Sequence, residues 1–333
     1  MIDFSRARVL VTGGAGFIGS ALVWELNRRG CERIVIADFL ESSEKWRNLA
    51  PLAFEDYLEA DDLLARLGSK ALGRFDVVLH MGACSSTTER NAAYLARNNF
   101  QFTKDLAGAA LSSNARFVYA SSAATYGDGT SGMKDDSSLP YLHTLRPLNM
   151  YGYSKQMFDL YAAQRGLLDK IAGVKFFNIF GPNEGHKGDM RSLVSKAYEQ
   201  IAETGEIRLF KSYVDECADG EQKRDFLYVK DAVAMTLHLA ATDGASGLFN
   251  VGSGQANTWI GLANAVFAAL GKQPNIRFID MPDELRAKYQ YFTQADIGRV
   301  RGSGYTAPII PLGDAVADYV KNYIGPRKHL GDL

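Results

Sequence analysis

Residues 9–19 read Val9-Leu10-Val11-Thr12-Gly13-Gly14-Ala15-Gly16-Phe17-Ile18-Gly19. A β-branched run stops at a glycine-rich turn, and a segment with helical periodicity, Ser20 to Arg29, follows at once. Between a strand and a helix, glycines at 13, 16 and 19 have separate physical uses. One makes the tight turn, one lets backbone approach a pyrophosphate, and one lets the helix pack on the sheet, leaving the helix N-terminus facing the anion. The spacing predicts a dinucleotide-binding unit at the start of the chain.

The same rhythm continues outward. Arg8 to Val11, Arg33 to Ala37, Val77 to His80, Arg116 to Ala120 and Gly173 to Phe177 read as strands, while Ser20 to Arg29, Asn91 to Ser112 and Ser154 to Leu168 read as helices. This alternation predicts right-handed crossovers and an α/β fold with a Rossmann-like, doubly wound parallel sheet. The second half is less regular, with a helical pattern at Met190 to Thr204, a polar stretch at Tyr213 to Gln222 and a strand-like Leu248 to Val251. A smaller mixed α/β lobe is expected there. The division predicted is 1–177 plus 226–256 for the dinucleotide domain and 178–225 plus 257–333 for the substrate domain. Gly127 to Pro147, rich in Gly, Ser, Asp and Pro, reads as a loop over the mouth of the sheet.

The chain has 333 residues, 47% of them hydrophobic, enough for one large core or two unequal lobes. A net charge of -1 offers no bulk attraction to nucleic acid or an anionic membrane. Cys31, Cys84 and Cys217 lack Cys-x-x-Cys spacing, which argues against a disulfide framework or a metal site and fits a reducing cytoplasm. No signal-peptide pattern and no membrane-spanning apolar stretch is read. The expectation is a soluble cytoplasmic protein without metal.

Tyr151 and Lys155, four apart, would share one helix face. An ammonium beside a phenol favours phenolate, and a tyrosine so tuned takes a proton from an alcohol while a nicotinamide takes the hydride. Strand register selects Ser122 over Ser121 to bind the reacting alcohol. Asp38, closing the second strand, is placed to accept both ribose hydroxyls of a dinucleotide's adenosine half, and Asp56 after a third strand is placed to meet adenine or solvent. Lys45 and Arg47 suit a 2'-phosphate that Glu41 and Glu44 would repel, so NAD and NADP both stay open. The small residues of Met81-Gly82-Ala83-Cys84-Ser85 would let the nicotinamide ribose lie against backbone. His80 reads as structural, and Cys84 has no base near it in sequence to make it a nucleophile.

The glycine loop, Ser122, Tyr151 and Lys155 together resemble the extended short-chain dehydrogenase/reductase superfamily. Asn178-Ile179-Phe180-Gly181-Pro182, Arg224-Asp225-Phe226-Leu227-Tyr228-Val229 and Phe249-Asn250-Val251-Gly252 resemble its nucleotide-sugar branch. Three narrower stretches, Gly82-Ala83-Cys84-Ser85-Ser86-Thr87-Thr88-Glu89, Glu184-Gly185-His186-Lys187-Gly188 and Tyr289-Gln290-Tyr291-Phe292-Thr293-Gln294-Ala295-Asp296, resemble the ADP-L-glycero-D-manno-heptose 6-epimerase family.

That resemblance implies inversion at C6 of an ADP-heptose through a transient ketone, in heptose supply for lipopolysaccharide core. It implies two acid/base groups, Tyr151 and Lys187, although from the residues alone Lys187 reads as a phosphate-binding or solvated lysine. Cofactor contacts would be Phe17, Ile18, Asp38, Phe39, Lys45, residues 81 to 85, Asn98, Lys155, Ile179 and Lys187, with NADP as the family default. Substrate contacts would be Asn178, Asp189, Lys196, Phe210, Arg224 and Tyr289, and the assembly a homo-oligomer, a pentamer. The chain departs from the family at Phe39, usually asparagine, and Ala60, usually basic, both of which weaken a 2'-phosphate site. It departs again at Asp189 and Lys196, usually serine and histidine, and in an insertion at Tyr213 to Gln222. A UDP-hexose 4-epimerase shares the Tyr/Lys machinery, and a dinucleotide-sensing protein would keep the glycine loop without catalysis. A dehydratase would need an acidic pair where Ala123 and Ala124 stand.

Overall fold

The computed structural model describes residues 1–286 and 289–333. Seven strands form one parallel sheet: β1 (Val9–Thr12), β2 (Ile34–Asp38), β3 (Asp56–Glu59), β4 (Val77–His80), β5 (Arg116–Ser122), β6 (Ala172–Phe176) and, far along the chain, Gly247–Val251. The last of these lies beside β6 at one edge, so the spatial order runs Gly247–Val251, β6, β5, β4, β1, β2, β3. Strand order reverses direction between β1 and β4, and a crevice opens there at the carboxyl ends of the strands.

Alternation along the strands builds two cores. Val9, Val11, Ile34, Ile36, Val77 and Leu79 face one side of the sheet, and Leu10, Val35, Ala37 and Val78 face the other. Both faces are buried, which is why these strands read as continuous apolar runs. The helices Phe17–Arg28 and Val229–Ala241 cover the first face, and Phe102–Ser112 and Met150–Gln164 the second. Each fully buried Val, Leu, Ile or Phe contributes roughly 1.5–3 kcal/mol relative to exposure.

Beyond the large sheet, Asn178–Phe180 pairs in parallel with Lys223–Tyr228, which pairs antiparallel with Ala256–Thr258. Ile207–Phe210 pairs with Ile276–Ile279. The predicted re-entry into the first lobe is carried by the helix Val229–Ala241 and the strand Gly247–Val251, while Lys223–Tyr228 stays in the small sheet.

Three expectations change. Asn91 to Ser112 is two helices, Ala92–Leu95 and Phe102–Ser112, joined by a π-turn at Ala96–Gln101. The helix predicted to begin at Ser154 begins at Met150, because the Asn149 side chain caps it by accepting from the Gly152 N–H at 2.8 Å. Residues 127–147 do not cover the mouth of the sheet. Asn250 N–H donates to Asp135 at 3.1 Å, Leu248 N–H to Ser137 at 2.9 Å and Arg299 to the Asp135 carbonyl at 2.8 Å, so the loop is pinned at the sheet edge.

Candidate active site

The turn after β1 and the loop after β4 meet backbone to backbone. Gly13 has φ +66, and a Cβ there would stand 2.6 Å from Gly82 Cα, so no side chain fits at this junction. The Ala15 and Gly16 N–H groups donate to Asp38 Oδ2 at 2.9 and 3.1 Å, and Asp38 Oδ1 accepts from Phe39 N–H at 2.7 Å and Lys45 Nζ at 3.1 Å. All four acceptor sites of the carboxylate are therefore taken. Any further donor would reach Asp38 only in exchange for one of these four. Asp56 is no partner for adenine: it starts β3, opposite Val35, at the end of the strand away from the crevice, and Glu59 is the residue level with Asp38.

The loop after β4 is held by a residue that sequence reading missed. Asn99, 1% exposed, accepts from Cys84 N–H at 2.9 Å and donates to the Cys84 carbonyl at 2.9 Å and to Ser154 Oγ at 3.0 Å. Asn98, the expected contact, is half-buried, off the cavity wall, and donates to Asn99 at 3.0 Å. The π-turn inserts a residue into the helical phase and puts Asn99 inward. His80 is structural, as expected: it lies between Thr12 Oγ1 at 2.6 Å and Thr103 Oγ1 at 2.8 Å, and burial lowers its pKa to about 3.

Tyr151 and Lys155 do share a face of the Met150–Gln164 helix, and both line the cavity with Ser122. Gly152 permits this, because a Cβ there would be 2.7 Å from the Ala124 carbonyl; the helix start lies against the turn that follows Ser122. The expected electrostatics are corrected. Burial raises the Tyr151 pKa, the Ser122 hydroxyl hydrogen bond opposes that rise, and Lys155 is not among its causes. Lys155 itself is lowered to about 8 by burial, with Asp159 and Cys84 pulling the other way. Desolvation is the largest influence on both groups.

Directly behind these groups lies a fully buried ion pair. Lys175 Nζ is 2.6 Å from Asp159 Oδ2 and 2.7 Å from Thr125 Oγ1, and Asp159 also accepts from Tyr119 and Ser121 hydroxyls at 2.8 Å each. Thr125 Oγ1 donates to the Ser122 carbonyl at 2.8 Å, so the pair clamps the end of β5 to the helix that carries Tyr151.

Lys187 enters from another wall, on the turn Gly185–Met190. Its amine stands 5.3 Å from the centre of the Phe17 ring, and burial lowers its pKa against the opposing pull of Glu184. Asn178, Ile179, Lys196, Phe210 and Tyr289 line the same space. Arg224 sits one layer back, 6% exposed, with its guanidinium 5.1 Å from the Tyr289 ring and 5.9 Å from the Trp259 ring. Asp189 is exposed and, like Phe39, off the wall. The Tyr213 to Gln222 segment folds onto the substrate side: Tyr213 OH donates to Asp280 at 3.1 Å and the Arg286 guanidinium stacks on the Tyr213 ring at 3.9 Å. The wall also holds residues to which the sequence reading gave no role, His186, Met190, Arg208 and Trp259 among them.

The cavity measures about 1270 Å³. That exceeds the roughly 300–1,000 Å³ usual for one small ligand, and leaves room for a dinucleotide along the glycine loop and a second ligand over Tyr151 and Lys187. The side-chain-free junction at Gly13 and Gly82, the helix start at Phe17 and the carboxylate at Asp38 fit a nicotinamide dinucleotide. Among the described residues no cluster of His, Cys, Asp or Glu forms a metal site, and no helix is long and apolar enough to cross a membrane.

A doubly wound sheet with this glycine loop and a Ser, Tyr and Lys set over its crevice defines an extended short-chain dehydrogenase/reductase. The family model for the NAD dependent epimerase/dehydratase family matches residues 9–252. A protein of Nitratidesulfovibrio vulgaris, strain Hildenborough, named ADP-L-glycero-D-manno-heptose-6-epimerase, is 51% identical over 316 residues, covering 95% of this chain and 97% of that one. One of the same name from Fusobacterium nucleatum subsp. nucleatum is 44% identical over 324 residues, covering 95% and 98%. The crystal structure of the Helicobacter pylori ADP-L-glycero-D-manno-heptose-6-epimerase superposes with a TM-score of 0.80 at 27% identity, covering 96% of this chain and 97% of that one. The chain belongs to the NAD dependent epimerase/dehydratase family and, within it, to the ADP-L-glycero-D-manno-heptose-6-epimerases.

Proposed function

We propose that this protein inverts C6 of ADP-D-glycero-D-manno-heptose to give ADP-L-glycero-D-manno-heptose, supplying heptose for lipopolysaccharide core. The observation that carries the reading is the approach of Tyr151 and Lys187 to one cavity from separate walls. A nicotinamide dinucleotide, which the Gly13–Gly19 loop and Asp38 would hold, would supply reversible hydride acceptance at C6. Ser122 holds the C6 oxygen beside Tyr151, which removes or supplies its proton in one orientation of the sugar. Rotation about the C5 to C6 bond presents the other face of the planar carbon, and Lys187 then serves the oxygen. Burial acts oppositely on the two groups: it keeps the Tyr151 phenol protonated, an acid, and lowers the Lys187 ammonium towards a neutral amine, a base. Lys155 holds the cofactor ribose through its ammonium. The pocket wall of Tyr289, Phe210 and Asn178, backed by Arg224, takes the ADP moiety and fixes the sugar's unreacting part.

Of the two dinucleotides, the arrangement at Asp38 favours NAD. The carboxylate is held in place by three backbone N–H groups, so it cannot turn away from a 2'-phosphate. Lys45 is already committed to it, Phe39 adds no side-chain donor, and Glu41 stands on the same wall. We place the protein in the cytoplasm as a homo-oligomer, a pentamer, which sedimentation velocity tests.

The decisive experiment incubates the protein with ADP-D-glycero-D-manno-heptose and, separately, with UDP-hexoses at catalytic cofactor, following stereochemistry by NMR. Inversion at C6 alone supports the reading. Inversion at C4 of a UDP-hexose would make it a hexose epimerase, and tight cofactor binding without any turnover would make it a sensor. Fluorescence titration with NAD and NADP decides the cofactor.

A further inference from the structure

The turn that carries Lys187 contains a second ionisable group with no part in the chemistry above. Glu184, 1% exposed, lies beneath the cavity wall. Its Oε2 accepts from Ser192 N–H and its Oε1 from Ser192 Oγ, both at 2.6 Å, while its own carbonyl accepts from Lys187 N–H at 3.0 Å. Ser192 is the N-cap of the helix Leu193–Thr204, so the carboxyl group sits at the positive end of a twelve-residue helix, where negative charge is favoured.

Three titratable side chains face it: Lys187 from the same turn, Arg191 from the segment leading into the helix, and Tyr319 from the helix Leu312–Tyr319. Arg191 is already bound by Glu199 through both terminal nitrogens, and the phenol of Tyr319, pushed up by burial, is a neutral donor. Lys187 lies over the Phe17 ring with His186 beside it in the turn, and Glu184 is the carboxylate that pulls its pKa up against burial. A buried carboxylate without a counter-charge is costly, and so is a buried ammonium. Each answers the other's need across the turn.

We propose that Glu184 is a positioning residue for Lys187: it fastens the turn to the 193–204 helix and supplies the buried negative charge that lets the Lys187 amine hold a proton. It touches neither substrate nor cofactor. In an epimerase the second acid/base group must return the proton that it takes, and an amine stripped of its counter-charge would remain a base without becoming an acid. This inference rests on the role assigned above to Lys187.

The test measures Lys187 directly, by trace acylation of the full-length protein with acetic anhydride across a pH series and mass spectrometry of the peptide containing residue 187. Glu184→Gln keeps an acceptor for Ser192 N–H and removes the charge. The midpoint of Lys187 reactivity is expected to move to lower pH, and kcat to fall roughly tenfold with a smaller change in KM. Glu184→Asp retains the charge and is expected to restore most of the midpoint. Glu184→Met, which removes the charge with a side chain of similar length, is expected to move the midpoint the same way and guards against poor folding of the first variant. A midpoint that stays in place in Glu184→Gln or, if that variant does not fold, in Glu184→Met overturns the proposal. Full turnover by Lys187→Met would instead remove the acid/base role of Lys187 and leave the labelling result standing, so the two failures are told apart.

Discussion

Lys187 Nζ stands 5.3 Å from the centre of the Phe17 ring, so the amine assigned to the substrate rests on the first residue of the helix that follows the glycine loop. A cation over an aromatic face is worth about 0.5–2 kcal/mol, more where water is excluded. On the function proposed above, the contact would tie the two ligand sites together, the side chain bordering the dinucleotide also supporting the group that faces the sugar. Tyr151 approaches from the opposite flank of the crevice, on a helix that belongs to the other core. Two acid/base groups with separate supports can face two orientations of one carbon.

Removing either group is expected to cost turnover about a hundredfold or more. Tyr151→Phe and Lys187→Met, assayed by NMR on ADP-heptose, should each fall by that factor with binding of the nucleotide sugar nearly retained. Wild-type rates in both variants would defeat the assignment.

Asn99 and Asn98 should separate cleanly. Asn99→Ala breaks three hydrogen bonds that hold the Cys84 loop and Ser154, leaving the part-buried Cys84 backbone groups without their partner, at a cost of roughly 1–3 kcal/mol in all. Cofactor affinity and melting temperature are expected to drop together. Asn98→Ala, measured alongside, should change either only slightly.

Cofactor binding should weaken with rising pH through the ionisation of Lys155, lowered to about 8 by burial from its usual 10.5. Below about 8 the folded protein presents an ammonium to the ribose; above it, a neutral amine. Stability runs the other way, because between about 8 and 10.5 the unfolded chain keeps a proton that the folded one has released, so this group's contribution improves as pH rises through that window. Fluorescence titrations of the dinucleotide on both sides of pH 8, with Lys155→Arg as the flat control, check the first; thermal melts over the same range check the second.

The Lys175–Asp159 pair, 0% exposed on both sides, should be intolerant of halving. Lys175→Met leaves a buried carboxylate unpaired and is expected to cost about 3–5 kcal/mol. Because Thr125 links the pair to Ser122, partial unclamping of β5 should lower kcat in any variant that still folds. Denaturant unfolding and kcat of the single variants, set against a Lys175→Met, Asp159→Leu double variant, measure both effects.

Acid should unfold the protein partly through His80. Burial lowers its pKa from 6.5 to about 3, so in between the unfolded chain binds a proton that the folded chain refuses. The stability this supplies is complete above 6.5 and is lost as pH falls towards 3, on the order of a few kcal/mol. His80→Gln, which keeps hydrogen bonding to Thr12 or Thr103, should flatten the acid limb of melting temperature against pH.

Much of the scaffold was legible in order along the chain. Arg8 to Val11, Arg33 to Ala37 and Val77 to His80 read as strands, within a residue of where β1, β2 and β4 lie, because a sheet covered on both faces demands unbroken apolar runs, and the glycine loop declared itself by sitting between strand and helix. Tyr151 and Lys155 were legible because their spacing is local. The helix start at Met150 was missed because the cap lies in Asn149, before the periodic pattern begins. Asn99 was missed because a π-turn breaks the 3.6-residue period that the helical reading assumed.

The sequence by itself determined the repeating strand and helix units, the dinucleotide turn and the residue types available for proton transfer, since each depends on neighbours a few positions away. Tertiary structure alone decided the charge states and supports of those groups. Asp38 meets the glycine loop, Asp159 meets Lys175, and Lys187 meets Phe17 only once the chain has closed. Burial is a property of the closed chain, and burial set the phenol up and the ammonium down, against the direction that the Tyr151–Lys155 spacing predicts for the phenol.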